Sequence, residues 1–193
     1  MNEGIQLGLR SLKRDEMIKC AYDLFYKNGF HATGVDAIMQ GTGISKRTLY
    51  KHFTSKEGLI IATIEYYHKV QYQAITDYLE KYASEMPVDK ALKIFDLLAE
   101  FVEAGDFNGC FAMNAKTEYV HKAKEIEASS DAYIAALQLL IEEYLEEGKC
   151  LNSKSLAAQV IMLFEGAIIH SKITCNSEPV KLAKEAARII CNQ

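Results

Sequence analysis

The segment Thr33–Lys56 reads TGVDAIMQGTGISKRTLYKHFTSK, and its spacing predicts two short helices around a turn. Val35, Ile38 and Met39 recur at helical intervals, so a first short helix can bury one side. Gly41-Thr42-Gly43 follows, where glycine admits backbone angles that a side chain resists. Ser45 suits the N-cap of a second helix, because its hydroxyl can accept a bond from an orphan backbone N–H. In that helix, Lys46 to His52, the residues Leu49 and Phe53 stand four apart on an inner face. Lys46, Arg47, Thr48, Tyr50, Lys51 and His52 are left to point elsewhere. A short helix with one apolar stripe and a rim of donors suits a DNA major groove. Two short helices about a glycine turn also occur in proteins that never touch DNA, where a basic face is merely solvated.

Outward from this segment, the run GISKRTLYKHFTSKEGLI (Gly43–Ile60) resembles the DNA-binding domain of the TetR family of bacterial transcriptional regulators. The match continues upstream through Ile18, Ala21, Leu24, Phe25, Gly29, Phe30, Ala32, Thr33, Val35, Ile38, Gly43 and Ile44, covering about residues 11–60. Gly34 departs from the family's usual Ser or Thr, which leaves Thr33 as the expected cap of the first short helix. The resemblance implies an all-α chain with an N-terminal three-helix helix-turn-helix domain over 1–54. A helical ligand-binding and dimerisation domain over 55–193 is implied to follow.

Bulk properties agree with helices. Two prolines, no tryptophan and 49% hydrophobic residues in 193 fit a helix-rich chain able to bury a sizeable core as one or two domains. The net charge of -4 argues against nucleic acid taken alone, but its distribution does not. Residues 1–56 hold nine Lys+Arg against five Asp+Glu, a basic end on an acidic remainder. Cys20, Cys110, Cys150, Cys175 and Cys191 are odd in number and lack C-x-x-C spacing, so reduced thiols in a cytoplasm are expected. No leader and no apolar run of membrane-spanning length is expected, hence no membrane partner.

About nine helices are predicted. Met1–Leu9 is expected to be loosely ordered, with a first helix from Leu12 to Asn28 carrying Met17, Ile18, Ala21, Leu24 and Phe25 inward. After the two short helices, a long fourth helix runs from the cap Ser55 to about Tyr82. A fifth follows over Val88–Ala104, then helices opening at Gly109-Cys110-Phe111 and at His121, one from the cap Ser153 to Ile173, and one after Glu178-Pro179. The centre of the penultimate helix, Val160–Ile169, is apolar almost all round, so a second copy of the chain is expected to cover one side. The expected dimer residues are Val160, Leu163, Phe164, Ala167, Ile168, Leu182, Ala186 and Ile189.

Catalytic chemistry finds no footing. There is no phosphate-cradling glycine loop, no nucleophile elbow and no His-x-x-x-His pair. His121 and His170, with Glu118 or Glu165, are the one conceivable metal set, and nothing in their spacing requires a metal, so neither metal nor cofactor is expected. Tyr66, Tyr67, Phe95, Phe101, Phe111, Met113, Tyr119 and Phe164 could fill a core or line an apolar cavity. The resemblance favours a cavity for a small-molecule effector. The reading is a non-enzymatic, homodimeric repressor released from a palindromic double-stranded operator by a small apolar or amphipathic molecule. Lys46, Arg47 and Thr48 are assigned to base edges, Ser45 to the cap of the reading helix, and Thr33, Tyr50, Lys51, His52 and Lys56 to phosphates. Two alternatives stay open: a constitutive DNA-binding protein with a filled core, and an all-helical enzyme using the cavity.

Overall fold

The structure is a computed structural model that describes residues 2–82 and 85–192, with side chains from residue 12 onward. The described residues hold ten helices and no strand. In order they are α1 (Asn2–Asn28), α2 (Val35–Thr42), α3 (Lys46–Phe53), α4 (Lys56–Glu80), α5 (Pro87–Ala91), α6 (Lys93–Glu103), α7 (Phe111–Tyr119), α8 (Lys124–Glu147), α9 (Ser153–Thr174) and α10 (Glu178–Cys191). The all-α expectation holds. α5 and α6 meet at Leu92 through a tightened step, Phe95 N–H to Leu92 C=O at 3.2 Å, so the single helix expected over 88–104 is these two in succession.

Several helix ends differ from expectation. α1 begins at Asn2 rather than Leu12, since no proline interrupts that stretch and its two glycines only weaken a helix; Met1 lies outside the described residues. α4 stops at Glu80 rather than Tyr82. α8 begins at Lys124 rather than His121, which sits at φ 62 with its N–H donating to Glu127 Oε1 at 3.0 Å. Ser153 is the first residue of α9 and not its cap; Asn152 precedes it at φ 57.

Packing divides the chain into two compact units, residues 1–69 with 111–130, and 70–110 with 131–193, the divisions falling inside α4, at the start of α7 and inside α8. In the first unit Met17, Ile18, Ala21 and Phe25 of α1, Ile38 of α2, Leu49 and Phe53 of α3, and Leu59, Ile60 and Ile64 of α4 are buried. Rings extend this core: Phe30 lies 5.0 Å from Phe25 and 4.9 Å from Phe111.

The second unit is built on α9, which packs against α6 and α10. Phe95 of α6 meets Phe164 of α9 edge-on at 5.4 Å. Around that contact Leu92, Ile94, Ile141, Leu145, Val160 and Ala187 are buried. Polar links tie its rim, with Ser177 Oγ donating to Glu103 Oε1 at 2.6 Å and Tyr78 Oη to Glu100 Oε1 at 2.8 Å. One described helix, α9, is long and apolar enough to cross a membrane by length and composition alone, although Lys154, Glu165 and Lys172 interrupt its apolar run. The core helix of a soluble protein passes the same test, and seven α9 residues are buried inside this chain.

Candidate DNA-reading interface

Ser45 caps α3 as expected: its Oγ accepts from the Thr48 N–H at 3.3 Å and lies 2.9 Å from Thr48 Oγ1. Before it, Gly43 ends α2 at φ 66, donating to Met39 C=O, a left-handed cap where glycine avoids a Cβ penalty. Gly41 has a different role from the one its neighbourhood suggests. It lies within α2, and a Cβ there would come 2.6 Å from Cys20 Sγ of α1, so a side chain at this position would have to displace that thiol.

With Leu49 and Phe53 buried, α3 exposes Lys46, Arg47, Tyr50 and Lys51. Lys46 Nζ stands 3.6 Å from Asp36 Oδ1, both well exposed, a pair weak enough to yield to a phosphate or a base edge. Thr48 and His52 are half-buried, and the His52 ring lies 6.1 Å from that of Phe53. Arg14 of α1 places its guanidinium 5.5 Å above the Phe53 ring, so this cation braces α3 from behind. Ser55 starts α4 as predicted, its Oγ accepting from the Gly58 N–H at 3.1 Å.

Two phosphate assignments change. Thr33 is 3% exposed, and its hydroxyl lies 2.7 Å from Gly29 C=O and 3.2 Å from Leu24 C=O, to which it donates. It therefore closes the turn after α1 and is not presented to DNA; α2 is left with Gly34 as its N-cap and no side-chain cap. Lys56 is half-buried with Nζ donating to Phe30 C=O at 2.7 Å, which commits one of its three protons inside the protein.

The effector candidates separate. Tyr66, Tyr67, Phe111, Met113 and Tyr119 belong to the first unit, and Phe95, Phe101 and Phe164 to the second. In the first unit the aromatic candidates join ring packing, with Tyr67 5.3 Å and Tyr22 4.9 Å from Phe111 and Tyr22 6.3 Å from Tyr66. Burial, then Glu57 and Glu118, push the Tyr119 hydroxyl up from its ordinary range, so it is neutral. Phe101 is 41% exposed and lines nothing closed. A recess of about 270 Å³ in the second unit is lined by Gly148, Lys149, Cys150, Leu151, Leu156, Cys191 and Asn192, none of them predicted. Burial and the neighbouring Cys150 push the Cys191 thiol up to about 11, making it a poor nucleophile there.

The dimer candidates also need correction. Val160, Phe164, Ala167 and Ile168 are buried against their own chain, and Leu163 and Ala186 are half-buried. The outward apolar residues of α9 are Met162, Ile169 and Ile173, at 71, 49 and 72% exposure, and those of α10 are Leu182 and Ile189. A helix apolar all round has two sides to cover, and sequence does not say which side its own chain takes. All five cysteines are free thiols, and no three potential metal ligands converge among the described residues.

Sequence reasoning considered Glu118 only beside a conceivable metal and missed its role, a carboxylate that holds the turn leading into α2. Eighty-eight residues separate it from Phe30, and no local periodicity signals such a bond.

The family model for bacterial regulatory proteins of the tetR family matches residues 18–63, and that for the LmrA/YxaF-like transcriptional regulator C-terminal domain matches 87–186. The regulator LmrA of Bacillus subtilis (strain 168) is 27% identical over 171 residues, 86% of this chain and 90% of that protein. The repressor ComR of Escherichia coli (strain K12) is 28% identical over 134 residues, and YerO of B. subtilis 30% over 115. Those matches take in 68 and 60% of this chain but span only 63 and 39% of ComR and YerO. Among solved structures, reduced E. coli NemR aligns at TM-score 0.82 (21% identity, 91% of this chain, 94% of NemR). A regulator from Cytophaga hutchinsonii aligns at 0.84 (18%, 95 and 94%). At those identities the structures show a shared fold. The two family models together, laid over a capped α2–turn–α3 and an all-helical remainder, establish that this chain belongs to the TetR family of bacterial transcriptional regulators.

Proposed function

We propose that the chain is a homodimeric, effector-responsive repressor whose α3 reads a near-palindromic operator. The observation that carries this reading is the outward row Lys46, Arg47, Tyr50 and Lys51 on a short helix anchored by Leu49 and Phe53. Residues 1–54 act as the DNA-binding head and 55–193 as the regulatory and dimerising body, in the cytoplasm. Arg47 offers two parallel donors to guanine, Lys46 and Thr48 reach neighbouring base edges, and Tyr50, Lys51, His52 and the uncommitted protons of Lys56 meet phosphates. Two-fold pairing would set the reading helices ~34–36 Å apart, on successive major grooves. Met162, Ile169 and Ile173 with Leu182 and Ile189 support a dimer through α9 and α10, because apolar side chains this exposed gain from a second copy.

α4 is one unbroken helix that leaves the reading head at Lys56 and ends in the body at Glu80. An effector, apolar or amphipathic, that prefers one body geometry would act along it; coupling of ~1–3 kcal/mol changes DNA affinity by roughly 5–150-fold. The packed rings around Phe111 favour a second reading, a constitutive DNA-binding protein with a filled core. The affinity of the parent protein and of Arg47→Ala for a selected operator and for random duplex tests DNA reading. Arg47→Ala should cost about 1–3 kcal/mol on the operator and little on random DNA. Equal losses on both would remove Arg47 from base reading.

A further inference from the structure

The six-residue turn between α1 and α2 is held by charged side chains from outside it. Glu118, at the end of α7, accepts the Phe30 N–H on Oε1 at 2.9 Å and the His31 N–H on Oε2 at 2.8 Å. Its own backbone carbonyl lies 3.1 Å from His31 Nε2. The carbonyl of Phe30, in turn, takes the Lys56 ammonium at 2.7 Å. One residue of the turn is thus bonded at its N–H by a carboxylate and at its C=O by an ammonium. Its ring is packed between Phe25 and Phe111. Gly29 belongs to the same construction. It stands at φ 87, and a Cβ there would come 3.1 Å from Glu118 Oε1, tight against the carboxylate.

The Phe30 and His31 amides lie beyond the end of α1, and α2 has no side-chain cap. Charge-assisted bonds to a carboxylate are stronger and shorter than neutral ones, so these two bonds fix where the chain turns toward α2. α2 packs on α3, and the direction in which α2 leaves the turn sets how α3 is presented. We propose that Glu118 is a positioning residue for DNA reading: by bonding two successive amides of the α1–α2 turn, it holds α2 and α3 in reading geometry without touching DNA. The residue lies in the stretch that matches the C-terminal family model, whereas the turn it holds lies in the stretch that matches the N-terminal one.

The inference rests on the DNA-reading role of α3, and its test separates the two. Glu118→Ala and Glu118→Gln are compared with the parent and with Arg47→Ala by hydrogen–deuterium exchange on peptides spanning 29–33. Affinity is measured for a duplex that the parent selects from a random library, across a range of salt. Glu118→Ala should speed exchange in the turn and weaken duplex binding by about tenfold, with an unchanged salt slope because no phosphate contact is lost. Glu118→Gln, which retains the side-chain volume and one acceptor oxygen, should fall between the parent and Glu118→Ala; it supplies the comparison if the alanine variant fails to fold. Arg47→Ala should weaken binding and leave turn exchange unchanged. Unchanged exchange in both Glu118 variants, or faster exchange with undiminished affinity, overturns the positioning role. A parent that selects no duplex while the Glu118 variants still loosen the turn sinks the DNA-reading role instead and leaves the turn contact standing.

Discussion

Thr33 shows how one hydroxyl can be assigned to the wrong partner. A threonine ahead of a short helix has the composition of a cap or a phosphate ligand, but here the side chain turns back to the carbonyls of Leu24 and Gly29. Thr33→Val should therefore destabilise the fold by about 1 kcal/mol, the worth of a typical buried hydrogen bond, and leave the salt slope of DNA binding unchanged. A urea midpoint and a salt titration check both halves, and a flatter salt slope would return Thr33 to the phosphates. Gly43 and Ser45 behave as their residue types dictate, because a left-handed cap and an N-cap are decided within a few residues of chain. The same locality explains why Leu49 and Phe53 were readable as the inner face of α3.

At the scale of elements, what was legible was what repeats along one helix. The apolar stripes of α1, α3 and α6 follow helical spacing and are buried except at Leu24, which is half-buried, and Phe101, which is exposed. What was not legible were relations between distant elements. A Cβ at Gly41 would press on the Cys20 thiol of α1, and Glu118 matters because α7 ends beside a turn formed far earlier in the chain. α9 shows the limit of periodicity: apolar on all sides, it hides Val160, Phe164 and Ala167 and exposes Met162, Ile169 and Ile173. The corrected face carries its own prediction. Ile169→Glu and Leu182→Glu should each raise the monomer–dimer dissociation constant by about tenfold or more, because burying an unpaired carboxylate at an apolar interface is costly. Sedimentation velocity at several concentrations measures this. The same change at Val160 should instead unfold the chain, since that side chain is fully buried; dimers unaffected by Ile169→Glu and Leu182→Glu would mean that the copies pair elsewhere.

For the whole molecule, the uneven charge assigns separate tasks to the two ends of the sequence. Nine Lys+Arg against five Asp+Glu in residues 1–56 offer an attractive field to a polyanion, and the acidic remainder of the chain repels it. In the proposed dimer, this contrast would favour approach to DNA through residues 1–56 on both copies before any base is read. The central claim, that a pair of chains reads DNA through α3, is tested most directly by selecting duplexes from a random library with the parent protein and with Arg47→Ala. The parent should enrich a near-palindrome with half-sites centred one helical turn apart, ~10–10.5 base pairs, bound by a two-fold pair of chains. Arg47→Ala should lose one symmetric pair of guanines from that motif. An asymmetric motif, an enriched sequence unaltered by Arg47→Ala, or no enrichment at all would contradict the account.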